Sequence, residues 1–468
     1  MNDELKEGIK LFEENQLNKS LSIFKKILSK EPNNKMALYY SSIIYRQLKK
    51  WSLAKKVAEK YLNVHEENPV ILEVLGDVLY FEGDYLKAKK TYMKALNLSS
   101  DTSVKKKIQD KLENTTKKID NKKNMTKVAL IVAEGSDSFT DDVLEGLSDY
   151  FWVRKFTLPK KQGRIYSALK EGLKAKFLHE KVYKLFLYLY PSILKKAIKW
   201  GDVIWVEWAA NEAVVASYLK NLSKKLFIRL HRFEAFEPYP FLINWENVDK
   251  VVFVSNFMKE VLEDRKIKIS SEKSKVIYNG VDLDRFDFIQ RENGYNIGWV
   301  AGIIPRKNLH IALEIIRKLA EKDERYVLHI AGDFPDLMYE RYIKHLIKAS
   351  NIEKNVILYG WVDDMAKWWD DKNYLLSTSM HESFGYNIAE AMAKGIKPII
   401  HNFDGAEELY DKQFLFSNID EAVEKIVTGE YNSSYYREYI KKKGWTLENQ
   451  IEEFKRLILD LVAVVGGQ

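Results

Sequence analysis

Small and apolar residues return every 34 positions across the first hundred residues. Gly8, Ser42 and Gly76 fall in register, as do Ser20, Ala54 and Ala88, then Phe24, Ala58 and Tyr92, then Ile27, Tyr61 and Ala95, with Pro32 and Pro69 near the repeat ends. Paired helices pack closely only where small side chains face each other, so this register predicts a stack of helical pairs over 1–102 that buries a continuous core. The best-formed copy is the third, VILEVLGDVLYFEGDYLKAKKTYMKALNLSSD. From Ser103 to Lys123 the chain turns polar, with eight lysines against Asp110, Glu113 and Asp120. A capping helix and linker are expected over 103–126.

KVALIVA, beginning at Lys127, opens a different pattern of short apolar runs bounded by turn residues and alternating with helical stretches. The predicted strands are KVALIVA, FWVRKFTL, DVIWVEWA, KLFIRLH and KVVFVS, and then, after NGVD, YNIGWVAG, YVLHIAGD, NVILYGWV, YLLSTSM and KPIIHNF. Buried strands alternating with helices imply parallel sheets covered on both faces. There are enough for two, spanning roughly 127–280 and 290–425 by this pattern. Ligands in such sheets bind beyond the carboxyl ends of the strands, so the loops that follow them are the place to look for chemistry.

Composition narrows the classes. The 468 residues include no cysteine, which removes disulfides, thiolate metal sites and a cysteine nucleophile and suits a reducing compartment. The first residues, MNDELKEGIK, lack an apolar leader core, and no run of 18 apolar residues occurs, so neither signal peptide nor membrane span is expected. The net charge is +8, yet residues 160–200 alone hold eleven Lys/Arg against Glu171 and Glu180. Their aromatic interior, YKLFLYLYPSIL, is broken by Pro191. Two readings stand: a helix face packed on a core, or a basic amphipathic helix resting on an anionic membrane.

The stretch HESFGYNIAEAMAKG, 381–395, carries the clearest chemistry. YLLSTSM is a strand, HESFG its loop, and YNIAEAMAK a helix closed by Gly395. Ser383, Phe384, Gly385 and Tyr386 fall at the helix entrance, where free backbone N–H groups and the positive dipole end favour phosphate, and Gly385 admits close approach. Glu390 presents two acceptor oxygens suited to vicinal hydroxyls, and Glu382 faces what lies beyond the phosphates.

ESFGYNIAEAMAKG resembles the Glu-x7-Glu motif, E-x-F-G-x-x-x-x-E-A-M-A-x-G, of the retaining nucleotide-sugar glycosyltransferases of family 4. VVFVSNFMKEVLED, VIYNGVDLDRF, HIAGD and VILYGWV follow that family's order, and the likeness runs from about Lys127 to Val462. This resemblance implies an α/β chain of GT-B fold, two Rossmann-like parallel-sheet domains facing a cleft; the 34-residue register before them resembles the tetratricopeptide repeat and implies an all-α solenoid. The expected domains are three repeats over 1–102, the linker over 103–126, an acceptor domain over 127–285, a nucleotide-sugar domain over 286–430, and helices over 431–468 crossing back to the acceptor domain.

Site roles come with the resemblance. Glu390 would hold the ribose, Glu382 and His231 the donor sugar, and Gly360, Trp361 and Val362 the base. Ser383, Phe384, Gly385, Tyr386 and Asn387 would line the donor, and Gly135 and Ser136 the acceptor loop. The family's G-R-L-x-x-x-K-G is altered in VAGIIPRKN: Lys307 matches, but Ala301 and Gly302 stand where Gly and Arg belong. Arg306 is the candidate for the missing cation. DLD at 282–284 lies in the domain connection, so no metal and no cofactor is expected. The implied activity is metal-independent hexosyl transfer with retention, from a nucleoside diphosphate sugar with UDP favoured, in the cytoplasm or peripherally at the inner membrane face, with no nucleic-acid partner. The solenoid suggests a polypeptide acceptor glycosylated on Ser or Thr, a surface protein such as flagellin among them. The alternatives are extension of a lipid-linked or surface glycan, and a non-catalytic repeat scaffold with a decayed transferase domain.

Overall fold

The computed structural model describes residues 3–134, 140–158, 192–219 and 223–463. Gly135, Ser136 and most of the basic 160–200 segment lie outside that set. The chain divides into two compact units, 1–228 with 242–249 and 458–468, and 229–241 with 250–457.

Seven described helices open the chain: α1 Asp3–Glu13, α2 Leu17–Lys30, α3 Lys35–Gln47, α4 Trp51–Val64, α5 Pro69–Phe81, α6 Tyr85–Leu98 and α7 Thr102–Lys122. The second helix of each pair begins at 17, 51 and 85, which is the 34-residue period of the sequence. Its cause is steric. A Cβ on Gly8 would come within 2.9 Å of the Phe24 ring, and one on Gly76 within 2.4 Å of Tyr92, so the small residue is what lets the facing aromatic close the pair. Asn34, Asn68, Asp84 and Asp101 cap the helices that follow them, supplying acceptors to otherwise orphaned N–H groups.

Two six-stranded parallel sheets follow. The first, in the order β2-β1-β3-β4-β5-β6, comprises β1 Lys127–Ala133, β2 Trp152–Leu158, β3 Val203–Val206, β4 Lys225–Leu230, β5 Lys250–Phe253 and β6 Ser274–Val276. The second, β12-β11-β10-β7-β8-β9, comprises β7 Asn296–Val300, β8 Val327–Ala331, β9 Val356–Gly360, β10 Tyr374–Ser377, β11 Lys397–His401 and β12 Leu415–Phe416. The predicted strands are present. The sequence pattern misses β6 and β12, which are edge strands of three and two residues, too short to show a run. The described end of the basic segment, the helix Ser192–Trp200, buries Leu194, Ala197 and Ile198 against β1 and β2, leaving Lys195, Lys196 and Lys199 exposed. That part packs its apolar stripe on a core.

In the polar stretch expected to hold a capping helix and linker, the helix α7 runs to Lys122 and 123–126 connect it to β1. Lys122 is buried and donates to the carbonyls of Ser148 and, at 3.0 Å, Phe151; burial pulls its pKa down to about 8. The repeat region also closes the open edge of β2. Lys155 N donates to Glu82 O at 2.7 Å, Trp152 Nε1 to Gly83 O at 3.0 Å, and Arg154 pairs with Asp84. An unpaired sheet edge is thereby satisfied by a turn of the third helical pair. Gly83 has φ +77°, and a Cβ there would sit 1.9 Å from Val153 O. Gly83→Val should therefore cost about 1–3 kcal/mol from the backbone alone and lift the turn off β2. Limited trypsinolysis checks it: cleavage between Lys117 and Lys127 is expected in the variant under conditions that spare the wild type, and equal resistance contradicts it.

Candidate active site

Every described candidate site residue lies in the second unit, at the carboxyl ends of strands. The loops there are stitched together by hydrogen bonds to backbone carbonyls. Met380 N donates to Arg306 O at 3.0 Å, Thr378 Oγ1 to Lys307 O at 3.0 Å, and Ile303 N to Asp333 O at 2.9 Å. Gly332 N donates to Gly360 O at 2.8 Å. The loops after β7, β8, β9 and β10 thus form one connected rim.

On that rim Lys307 Nζ pairs with Glu382 Oε1, which also accepts from Ser379 Oγ at 2.7 Å. The pair is sheltered, with side chains 17% and 11% exposed, so little solvent screens it. Burial alone would push the Glu382 carboxyl up; Lys307, Ser379 and Arg306 outweigh it and hold the pKa below the ordinary value. Glu382 is ionised. Arg306 donates from Nη1 to His381 O at 3.2 Å.

Helix Tyr386–Ala393 starts where the motif places it. Gly385 takes φ +75° at its entrance, and Phe384 is buried with its carbonyl accepting from Tyr410 OH. Among the described residues the N–H groups of Ser383, Phe384 and Gly385 donate to no protein acceptor, leaving three donors at a positive helix end. Asn387 Nδ2 ties the helix to β7 through Val300 O at 2.9 Å. Tyr386 and Ser383 keep part of their surface open.

Glu390 sits one turn deeper than the entrance; its neighbours in sequence Ile388, Ala389, Ala391 and Met392 are fully buried, while Glu390 keeps part of its surface open. Burial pushes its pKa up to about 7, offset only in part by Arg285 and the Trp369 indole. Trp369 reaches this position because β7 has Gly298, where a Cβ would stand 2.4 Å from the indole. Gly360, with φ +65°, lines a pocket with Gly332, Asp333, Phe334 and Leu358. Its carbonyl is committed to Gly332; Trp361 is largely exposed and donates from Nε1 to Asp363 at 3.1 Å, and Val362 is half-buried. Gly302 borders open space, with nothing within 4 Å of a notional Cβ. His231 is buried at the end of β4 and precedes the short helix Arg232–Phe236.

Three residues escape sequence reading. Arg232 lies within electrostatic range of Arg306 and Glu382. His381 packs its ring on Phe236, Phe257 and Phe403, and burial, then Arg232, depress its pKa. Glu408 caps the helix Asn256–Asp264, accepting from Asn256 N and Phe257 N at 2.7 Å each and from Tyr278 OH at 2.8 Å. Ser255 makes no side-chain cap there, so a carboxylate from 150 residues onward takes its place. Only long-range contacts reveal these roles.

Residues 281–458 match the family model described as Glycosyl transferases group 1. Among curated relatives, a Klebsiella pneumoniae protein of the cps region is 29% identical over 153 residues, covering 30% of this chain and 40% of that one. The Staphylococcus aureus poly(ribitol-phosphate) alpha-N-acetylglucosaminyltransferase is 28% identical over 96 residues, 20% of this chain and 19% of that one. The chain therefore spans less than half the length of these relatives. The crystal structure of Anabaena HepE in complex with UDP and glucose superposes with a TM-score of 0.55 at 16% identity, covering 72% of this chain and 100% of that one. The chain carries a group 1 glycosyltransferase domain over 281–458 and has the GT-B fold.

A raised carboxyl pKa is a stability statement. Glu390 binds its proton more tightly folded than unfolded, so its contribution is greatest below about pH 4.5 and is lost as pH rises through about 7. Glu390→Gln, which cannot ionise, should be more stable than wild type at pH 8 by about 1–3 kcal/mol, with the gap closing near pH 4. Thermal unfolding at both pH values checks this; a variant destabilised equally at both contradicts it.

Proposed function

We propose that the chain is a retaining, metal-independent glycosyltransferase that moves a sugar from a nucleoside diphosphate, with UDP the favoured carrier, to a Ser or Thr hydroxyl of a polypeptide held by the N-terminal repeats. The observation that carries the donor half is the rim itself: Lys307 and Arg306 beside three open amides at 383–385, with Glu382 ionised among them.

Sugar transfer breaks the bond between the anomeric carbon and the phosphate oxygen, and the electron pair leaves with the diphosphate. Negative charge grows on that oxygen as positive charge spreads over the ring. The amides of Ser383, Phe384 and Gly385 meet the first demand as fixed donors, joined by Arg306 and by Lys307 once it exchanges Glu382 for the diphosphate. Glu382 lies where an ionised carboxylate favours the ring cation, with His231 on the sugar hydroxyls. The acceptor hydroxyl forms the new bond on the same face, and its proton passes to the departing phosphate oxygen, which balances the exchange and retains configuration. Glu390 takes the ribose hydroxyls, and the Gly360 pocket takes the base.

Support for the polypeptide acceptor is the repeat stack docked on β2, a fixed module that small acceptors do not require. A second reading, transfer to a surface polymer, draws on the Staphylococcus aureus relative, whose name gives a poly(ribitol-phosphate) acceptor.

Lys307→Ala is expected to lose about 10²- to 10³-fold in kcat for donor hydrolysis or transfer, measured with EDTA present; wild-type turnover, or abolition of wild-type activity by EDTA, contradicts the assignment. Intact-mass analysis of full-length enzyme, candidate surface proteins and a panel of sugar nucleotides should show whole-sugar additions to a protein. Additions confined to a polyol-phosphate polymer would favour the second reading.

A further inference from the structure

The altered loop 300–308 lacks an arginine where Gly302 stands, and the structure brings another from a different part of the chain. Arg232 is the first residue of the helix Arg232–Phe236, directly after His231. The edge-to-face contact of Phe236 on His381, 5.1 Å between centroids, seats this segment against the loop that carries Glu382. Half-buried there, Arg232 makes no hydrogen bond or ion pair among the described residues. Arg306 spends one N–H on His381 O, and Lys307 is committed to Glu382.

Arg232 lies in range of one cation, Arg306, and of two carboxylates, Glu382 on the loop and the buried Glu234 of its own helix, while Glu382 is already shared with Lys307, and Asp404 acts on His381. Two guanidiniums in range of each other repel unless a shared acceptor offsets the cost. Planar guanidiniums with spare N–H groups are the side chains best matched to phosphate oxygens. Resting on the donor reading above, we propose that Arg232 is a catalytic residue that clamps the leaving diphosphate together with Arg306, in the place of the cation absent at Gly302. As the bond to the anomeric carbon breaks and its electron pair moves onto the phosphate oxygen, the Arg232 guanidinium faces the growing charge.

Binding of inorganic pyrophosphate, followed by calorimetry on the full chain, isolates this claim from catalysis. Arg232→Ala should weaken it about 10- to 100-fold, with Arg232→Lys recovering part of the loss. Donor hydrolysis by Arg232→Ala should fall about 10²- to 10³-fold. Because Gly302 borders open space in the loop of Arg306 and Lys307, Gly302→Arg placed on Arg232→Ala should restore most of both. Pyrophosphate affinity in Arg232→Ala equal to wild type overturns the inference, as does undiminished sugar transfer by that variant. A wild type that binds pyrophosphate through Arg232 yet turns over no sugar nucleotide would overturn the transfer reading and leave the anion site standing.

Discussion

One loop carboxylate, Glu382, sits among three cations, and the backbone fixes two of them in place. The peptide of Arg306 is held by Met380 N, and that of Lys307 by Thr378 Oγ1, so neither residue can retreat from the loop after β10. Positive charge is concentrated beside helix amides that find no protein acceptor. Such an arrangement is costly without an anion, and the cost is borne by the fold before any ligand arrives. Lys307 on Glu382 is the ion pair the chain makes by itself, and on the proposed reading it gives way to the diphosphate.

The supporting contacts explain how the fold tolerates this. Asn387 anchors the helix entrance to β7, Tyr410 holds the Phe384 carbonyl, and Glu408 caps the helix that follows β5. Gly405, with φ +85°, leaves room for the Phe257 ring beside that cap. Glu390 is the opposite case: a carboxyl whose charged form burial disfavours, with Arg285 offsetting only part of the cost. Functional sites are where such local conflicts are expected.

Much of this was legible in the chain. The 34-residue register survives as glycine against aromatic, Gly8 on Phe24 and Gly76 on Tyr92, because close packing leaves a mark at each repeat. Buried parallel strands read as apolar runs, whereas β6 and β12 are too short to do so. The motif around Glu382 and Glu390 marks its helix because loop, glycine and apolar stripe occur within fifteen residues. The docking of α7 and the Gly83 turn was hidden, since buried Lys122 and paired Asp84 look like solvated charge until β2 is placed beside them. Arg232 and Glu408 were hidden for the same reason: their partners lie 70 or more residues away.

A crystal structure of the full chain with UDP tests the central claim most directly. The account predicts the diphosphate on the rim, with Lys307 Nζ and the amides of 383–385 within ~3 Å of its oxygens and Glu382 released to face the sugar position. A diphosphate bound elsewhere, with the Lys307–Glu382 pair undisturbed, would contradict it.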